Sequence, residues 1–400
     1  MSSLSQHDRP QSAHMVVPLA DRVRSLEAGR AGVLMDMLRG RPDGIGLGRG
    51  DPDLPTPAHV VAAGREALEK GLTKYTALRG IPELRRAVAD KLRRDNGIDV
   101  DPDTEVVITT GTQEAVFVTL CALLNPGDEI VMADPYYNSY ATMLHYLGAR
   151  LVGVPTSPVD GFQIDPAEFE KRITPRTKAI VLLTPNNPTG TVYPRDRLEG
   201  LARVAARHGL YLVSDELYET LVFDGQPFSI ASMPEMRGRT ITINGFSKAY
   251  SMTGWRVGYI AGPREVVDAL VTVRHTLTIC APSISQYAAV AALTGPQDLL
   301  AERREIFQRR RDFAMARLAE AGIPCVRPGG TFYVFVDIRP SGLSSEDYAF
   351  AVMEREGVFV YPGGYFGAEG EGFERISMVV PEPVLRDAVH RMARVFRRSR

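Results

Sequence analysis

Seven short apolar runs between residues 105 and 262 constrain this chain more than any other feature of its sequence. They read EVVITT, DEIVMAD, RLVGVP, KAIVLLT, LYLVSD, TITING and VGYIAG. Most carry an unbroken stretch rich in Val and Ile, without the polar alternation of a half-exposed strand, which is the pattern of strands covered on both faces. Between and before them, apolar residues recur at helical spacing. EAVFVTLCALL and RLEGLARVAARHG lie between strands; HVVAAGREALEKG and IPELRRAVADKLRRDNG precede them, the latter with Pro82 at its start and Gly97 at its end. A chain that alternates buried strands with helices reaches each parallel neighbour by a crossover. The pattern therefore predicts an α/β fold with a mainly parallel sheet between helices.

The character changes near residue 296. A long charged helix is expected over Asp298–Ala321, followed by a strand in GGTFYVFVDI, a helix near Ser345–Glu356, the runs VFVYPGG and ERISMVV, and a terminal helix. The predicted division is a flexible tail at 1–15, a smaller α+β domain from 16–57 and 297–400, and a large domain at 58–296. At 400 residues the chain is long enough for two cores.

Composition excludes several classes. A net charge of -1 gives no basic field for nucleic acid or an anionic membrane. The five Arg of the last ten residues fit the solvated face of an amphipathic helix. Three scattered Cys form neither a disulfide framework nor a metal knuckle and suit a reducing cytosol. No stretch approaches the ~18 apolar residues of a membrane span, and the first 14 residues lack the apolar core of a signal peptide. A cytoplasmic protein without membrane or nucleic-acid partners is expected. The glycines of GIGLGRGDPDLPTP do not fit the dinucleotide fingerprint GxGxxG, and Pro52, Pro55 and Pro57 forbid the helix that should follow.

Polar residues collect where the predicted strands end, the place where open parallel sheets bind ligands. Gly111, Thr112 and Gln113 follow VVITT and open a helix, a place for an anion or a plain strand–helix turn. Asn187 lies in TPNNPTG, a turn on any reading. Asp215 ends a buried strand and needs a partner, unless it caps a helix. Lys248 leaves the sheet in FSKAYSMTGWRVGY, eight residues before Arg256, and this spacing of small, polar and cationic residues is the most specific signal in the chain.

These motifs, with GRGDPD, YTALRGIPELR and ERISM in the same order, resemble pyridoxal-phosphate enzymes of the aspartate aminotransferase superfamily. The resemblance implies fold type I, with a seven-stranded mainly parallel sheet, and pyridoxal 5'-phosphate as cofactor. It implies that Lys248 bonds to the cofactor aldehyde and moves the substrate Cα proton, and that Asp215 pairs with the pyridine nitrogen. Asn187 and Tyr218 would hydrogen-bond the ring oxygen and Tyr137 would stack on the ring. Gly111, Thr112, Gln113, Ser247 and Arg256 would hold the phosphate, although Gly245 stands where some relatives have a serine. Tyr75 would reach the phosphate of a neighbouring subunit, which makes a homodimer with shared sites. Arg375 would grip the substrate α-carboxylate beside Gly50 and Asn187.

The activity so implied is transfer of an amino group between an L-amino acid and a 2-oxo acid. Elimination, cyclisation or amino-acid oxidation use the same constellation. A transcriptional regulator would need a DNA-binding module ahead of GRGDPD, where only about 40 residues stand. A nicotinamide dehydrogenase would leave Lys248, Asp215 and Asn187 without a role. For a second substrate carboxylate, Lys74 and Arg79 are the candidate cations; Tyr137, Asn138 and Tyr140 suit apolar or aromatic side chains instead.

Overall fold

The protein is described by a computed structural model covering residues 19–24 and 31–398. The expected tail at 1–15 lies outside the described residues.

After β1 (Ile45–Gly46), seven strands build one sheet: β2 (Val106–Thr109), β3 (Glu129–Asp134), β4 (Arg150–Pro155), β5 (Thr177–Leu183), β6 (Tyr211–Asp215), β7 (Thr240–Gly245) and β8 (Gly258–Ala261). Their order is β2-β8-β7-β6-β5-β3-β4. Only β8 runs against its neighbours. Each apolar run of the sequence became one of these strands.

The absence of polar alternation has the expected cause, because both faces are covered. Along β5, Ala179, Val181 and Leu183 pack with Val116 and Leu120 of the helix Gly111–Leu123. The intervening Ile180 and Leu182 pack on the other face with Leu198 and Leu201 of the helix Arg195–Arg207. The period of two along the strand thus feeds two separate cores.

A second sheet has four strands, β9 (Cys325–Val326), β10 (Tyr333–Asp337), β12 (Tyr361–Pro362) and β13 (Phe373–Ser377), in the order β12-β13-β10-β9 and antiparallel throughout. The short β11 (Val358–Phe359) pairs in parallel with β1. Leu34, Leu38, Ile45 and Leu47 share one apolar cluster with Phe307, Val334, Met353, Met392 and Phe396. The start of the described chain is therefore packed into its end. The helices Asp298–Ala321 and Ser345–Glu356 have the ends read from sequence. The terminal helix buries Val389, Met392 and Phe396, while Arg394 pairs with Glu356 at the surface. Between Leu19 and Leu38 a broken helical pattern was expected; the described helices are Asp21–Arg24 and Ala31–Arg39.

Arginines of the long helix tie the two sheets' bodies together. Arg303 donates to the carbonyl oxygens of Ala249 (2.9 Å) and Pro55, and to Ser251 Oγ at 3.0 Å. Arg310 forks onto both oxygens of Asp53 at 2.7 and 2.9 Å. A guanidinium supplies several donors in one plane, so one buried side chain satisfies several loop carbonyls at once. These bonds fix the loop that follows Gly50 against the turn that carries Lys248.

Candidate active site

A cavity of about 770 Å³ opens where the C-terminal ends of the large sheet face the second sheet. Thr112, Gln113, Tyr137, Asn187, Asp215, Tyr218, Ser247, Lys248 and Arg256 line it from the large sheet's side. Gly50 and Arg375 line it from the other. Gly111 is not at its surface, and Tyr75 lies away from it, 79 % exposed.

Lys248 sits three residues beyond the end of β7, and its Nζ donates to the carbonyl oxygen of Gly50. Burial pushes its ammonium down to about 8; Asp51 opposes the shift, while Arg375 and Arg256 add to it. A lysine held near neutrality is able to act as a nucleophile and as a base.

Asp215 ends β6 fully buried, which pushes its carboxyl up to about 6. Its donors are neutral: the Tyr140 hydroxyl at 3.1 Å and the Leu217 backbone N–H at 3.3 Å hold it back from a larger shift. No ion pair reaches it among the described residues. A buried carboxylate held only by neutral donors is suited to a cationic guest. The alternative of a helix cap does not hold, since no helix begins at Asp215.

Arg375, on β13, is buried. Its Nη1 donates to Asn187 Oδ1 and its Nη2 to the carbonyl oxygen of Gly48, both at 2.9 Å. Nε has no hydrogen-bond partner. The rings of Tyr333, Tyr361 and Phe366 stand 4.3, 4.9 and 4.8 Å from its Cζ. This is a fixed, desolvated cation with a donor to spare, a receptor for a carboxylate. Tyr218 meets Tyr333, hydroxyl to hydroxyl, at 3.2 Å, and burial pushes its phenol well up.

Gly111 begins its helix at φ +77°, and a Cβ there would come within 2.7 Å of Arg256 Nη2. Arg256 donates to the Thr253 carbonyl oxygen at 3.0 Å and forms no ion pair among the described residues. Its fork thus lies against a helix N-terminus, two sources of positive potential at one place.

Several residues of the cavity were not singled out from sequence. Arg39, Met35, Tyr333, Tyr361 and Phe366 line it, and Tyr140 holds Asp215 rather than only shaping a pocket. Met35, Tyr333, Tyr361 and Phe366 look from sequence like ordinary core residues, and only the packing of two sheets brings them to the site. Arg79, considered as a second substrate cation, is instead paired with Asp268 and bonded to the Thr104 carbonyl oxygen at 3.2 Å. Neither it nor Lys74 lines the cavity.

Residues 42–392 match the family Aminotransferase class I and II. The chain is 40% identical to the aromatic-amino-acid aminotransferase 2 of Thermococcus litoralis, over 96% of this chain and 99% of that one. It is 42% identical to the aspartate/prephenate aminotransferase of Thermus thermophilus, over 98% of each. The solved structure of aspartate aminotransferase from Thermus thermophilus with maleate superimposes with a TM-score of 0.90 at 41% identity, covering 95% of this chain and 100% of that one. The chain belongs to the class I and II aminotransferases, enzymes of fold type I that depend on pyridoxal phosphate. It is a transaminase, moving an amino group between an amino acid and a 2-oxo acid.

The cavity fits that cofactor. Asp215 offers a buried carboxylate without a cation, Arg256 and the helix at Gly111 offer a place for a dianionic phosphate, and Lys248 offers an amine held near neutrality. No cluster of His, Cys, Asp and Glu able to hold a metal occurs among the described residues.

Proposed function

We propose that Lys248, Asp215 and Tyr218 carry the chemistry, that Gly111, Thr112, Gln113, Tyr137, Ser247 and Arg256 hold the cofactor, and that Gly50, Asn187 and Arg375 hold the substrate. Pyridoxal phosphate supplies, when bound, an aldehyde and a ring that takes up the electron pair left by the Cα proton. The chain does the rest. Asp215 keeps a proton on the ring nitrogen by Coulomb attraction in a dry site. Tyr218 and Asn187 donate hydrogen bonds to the ring oxygen. Arg375 fixes the α-carboxylate, which leaves the Cα proton to Lys248 Nζ as the base. Lys248 Nζ would then deliver that proton to the cofactor's aldehyde carbon rather than back to Cα, and water would release the 2-oxo acid, leaving the amino group on the cofactor for the reverse half-reaction.

The observation that carries this reading is Arg375, buried, bonded to Asn187 and facing the same cavity as Lys248. The test supplies single amino acids without an oxo acid and follows the cofactor's visible band. Bleaching with release of the 2-oxo acid is expected. In Arg375→Leu, the concentration of donor needed is expected to rise about 10²-fold, as for loss of a charge-assisted pair. An unchanged donor requirement would remove Arg375 from the substrate site.

The homodimer is part of the same proposal. Tyr75, Leu78, Leu277 and Ile279 are exposed apolar or aromatic residues. Arg274 reaches the carbonyl oxygen of Leu78, and Gln286 donates to Thr76 Oγ1 at 3.0 Å, which brings the two segments together. Such a patch suits a second copy of the chain. A hybrid of Tyr75→Ala and Lys248→Ala chains tests it at limiting cofactor. If Tyr75 serves the opposite site, one site of the hybrid is intact and turnover returns. If Tyr75 acts within its own chain, the mixture stays inactive.

The domain boundaries at 57/58 and 296/297 are supported by the cluster joining Leu34 to Phe396 and by the pairing of β1 with β11. A cytoplasmic setting is supported by free Cys121, Cys280 and Cys325. Among the described residues no helix is long and apolar enough to cross a membrane.

A further inference from the structure

Asp134, the last residue of β3, faces the loop at residues 363–370, which precedes β13. Its Oδ2 accepts the backbone N–H of Ala368 at 3.1 Å and its Oδ1 that of Glu369 at 3.2 Å. Two residues on, the Tyr136 N–H donates to the Phe366 carbonyl oxygen at 2.7 Å. The contact requires Gly367, whose φ is +117° and whose missing Cβ would occupy the place of Asp134 Oδ1. Asn138 Nδ2 adds a bond to the Tyr361 hydroxyl at 3.1 Å. The end of one strand of the large sheet therefore grips the loops of the second sheet. What those loops carry matters: Phe366 and Tyr361 are two of the three rings packed on the Arg375 guanidinium.

We propose that Asp134 is a positioning residue for substrate binding: its carboxylate holds the 363–370 loop so that Phe366 shields Arg375 from water and strengthens its grip on the substrate carboxylate. The inference rests on the assignment of Arg375 made above. Charge matters because a carboxylate accepts two N–H groups at once, whereas a neutral amide in its place would turn a donor toward one of them.

Burial pushes the Asp134 carboxyl up to about 6, against the pull of the two backbone N–H groups, and Glu369 adds to the rise. Glu369 on the loop and Tyr136 on its own segment are the titratable groups that face it. At this end of the sheet the β4 residues beside it are Gly153 and Pro155, neither of them charged, and β5 continues past Val181 as Leu182 and Leu183.

The experiment compares kcat and KM of the holoenzyme for one amino donor at pH 7.5, in wild type, Asp134→Asn, Gly367→Ala and Arg375→Leu. Asp134→Asn is expected to raise KM about tenfold at pH 7.5 with kcat within about twofold, the loss of a hydrogen bond to a charged group felt at a distance from the reacting atoms. Gly367→Ala breaks the contact from the loop's side and is expected to raise KM in the same way, which keeps the test available if the Asp134 variant fails to fold. The inference is overturned if the variants that fold keep wild-type KM while Arg375→Leu raises it. If Arg375→Leu leaves KM unchanged, the assignment beneath it has failed instead.

Discussion

Replacing Lys248 by alanine is expected to abolish the visible band of the lysine-bound cofactor and to lower turnover by about 10⁴-fold or more, since on the proposed assignment it removes both the covalent anchor and the proton carrier. The structure offers no substitute. Lys248 Nζ lies buried against the Gly50 carbonyl oxygen, and the other cations lining the cavity, Arg39, Arg49, Arg256 and Arg375, are guanidiniums that do not give up a proton near neutrality. For the same reason Lys248→Arg is expected to be as inactive as the alanine variant although it keeps the charge. Absorption after dialysis, followed by single-turnover assays, measures both effects. Turnover within about tenfold of wild type in either variant would mean that another group moves the Cα proton.

The largest effect on stability is expected one residue from Arg375, the arginine proposed to hold the substrate. Successive residues of a strand point to opposite faces, and Glu374, beside Arg375, is fully buried with neither carboxylate oxygen bonded. Burial raises its carboxyl well above the ordinary 4.5, and Glu371 adds to the rise. The folded chain therefore holds a proton that the unfolded chain releases, so stability falls as the pH rises above about 4.5. Glu374→Leu, of similar size, is expected to stabilise the protein by about 1–3 kcal/mol at pH 7 by removing an unsatisfied buried group. That corresponds to roughly 2–4 °C in melting temperature per kcal/mol. It is also expected to flatten this part of the pH dependence. Thermal unfolding of both forms at pH 5 and pH 8 provides the check. A variant less stable than wild type at pH 8 would show that Glu374 has a compensating partner.

Much of this was readable from the sequence because the inner strands of a doubly covered sheet are mostly apolar and carry few charges. Runs such as KAIVLLT and EVVITT read as buried strands on their unbroken apolar stretches alone. The polar residues that end them, Asn187, Asp215 and Lys248, meet at one cavity because parallel strands end on one side. What the sequence left open depends on contacts between the two sheets. Tyr333 and Phe366 look like core residues until β10 and the 363–370 loop are placed against β3. Asp134 looks like a strand-end turn residue, and only its bonds to Ala368 and Glu369 show otherwise. Tyr140 was weighed for its size and matters for its hydroxyl. Arg79, by contrast, has an ordinary surface partner in Asp268, which no local pattern discloses across so many intervening residues.

The order of strands has a metric consequence. Asp215 ends β6, and Asn187 and Lys248 come within four residues of the ends of its two neighbours, β5 and β7. Neighbouring strands in any sheet lie about 4.8 Å apart, a pitch set by backbone hydrogen bonds and not by side chains. The sheet therefore acts as a ruler with three marks, one residue on each, and the crosswise scale of the site is graduated in units of the peptide group itself. Loops between the marks are free to lengthen or change composition without altering that scale. Side-chain preference can drift at the rim while the spacing of the reacting groups stays calibrated.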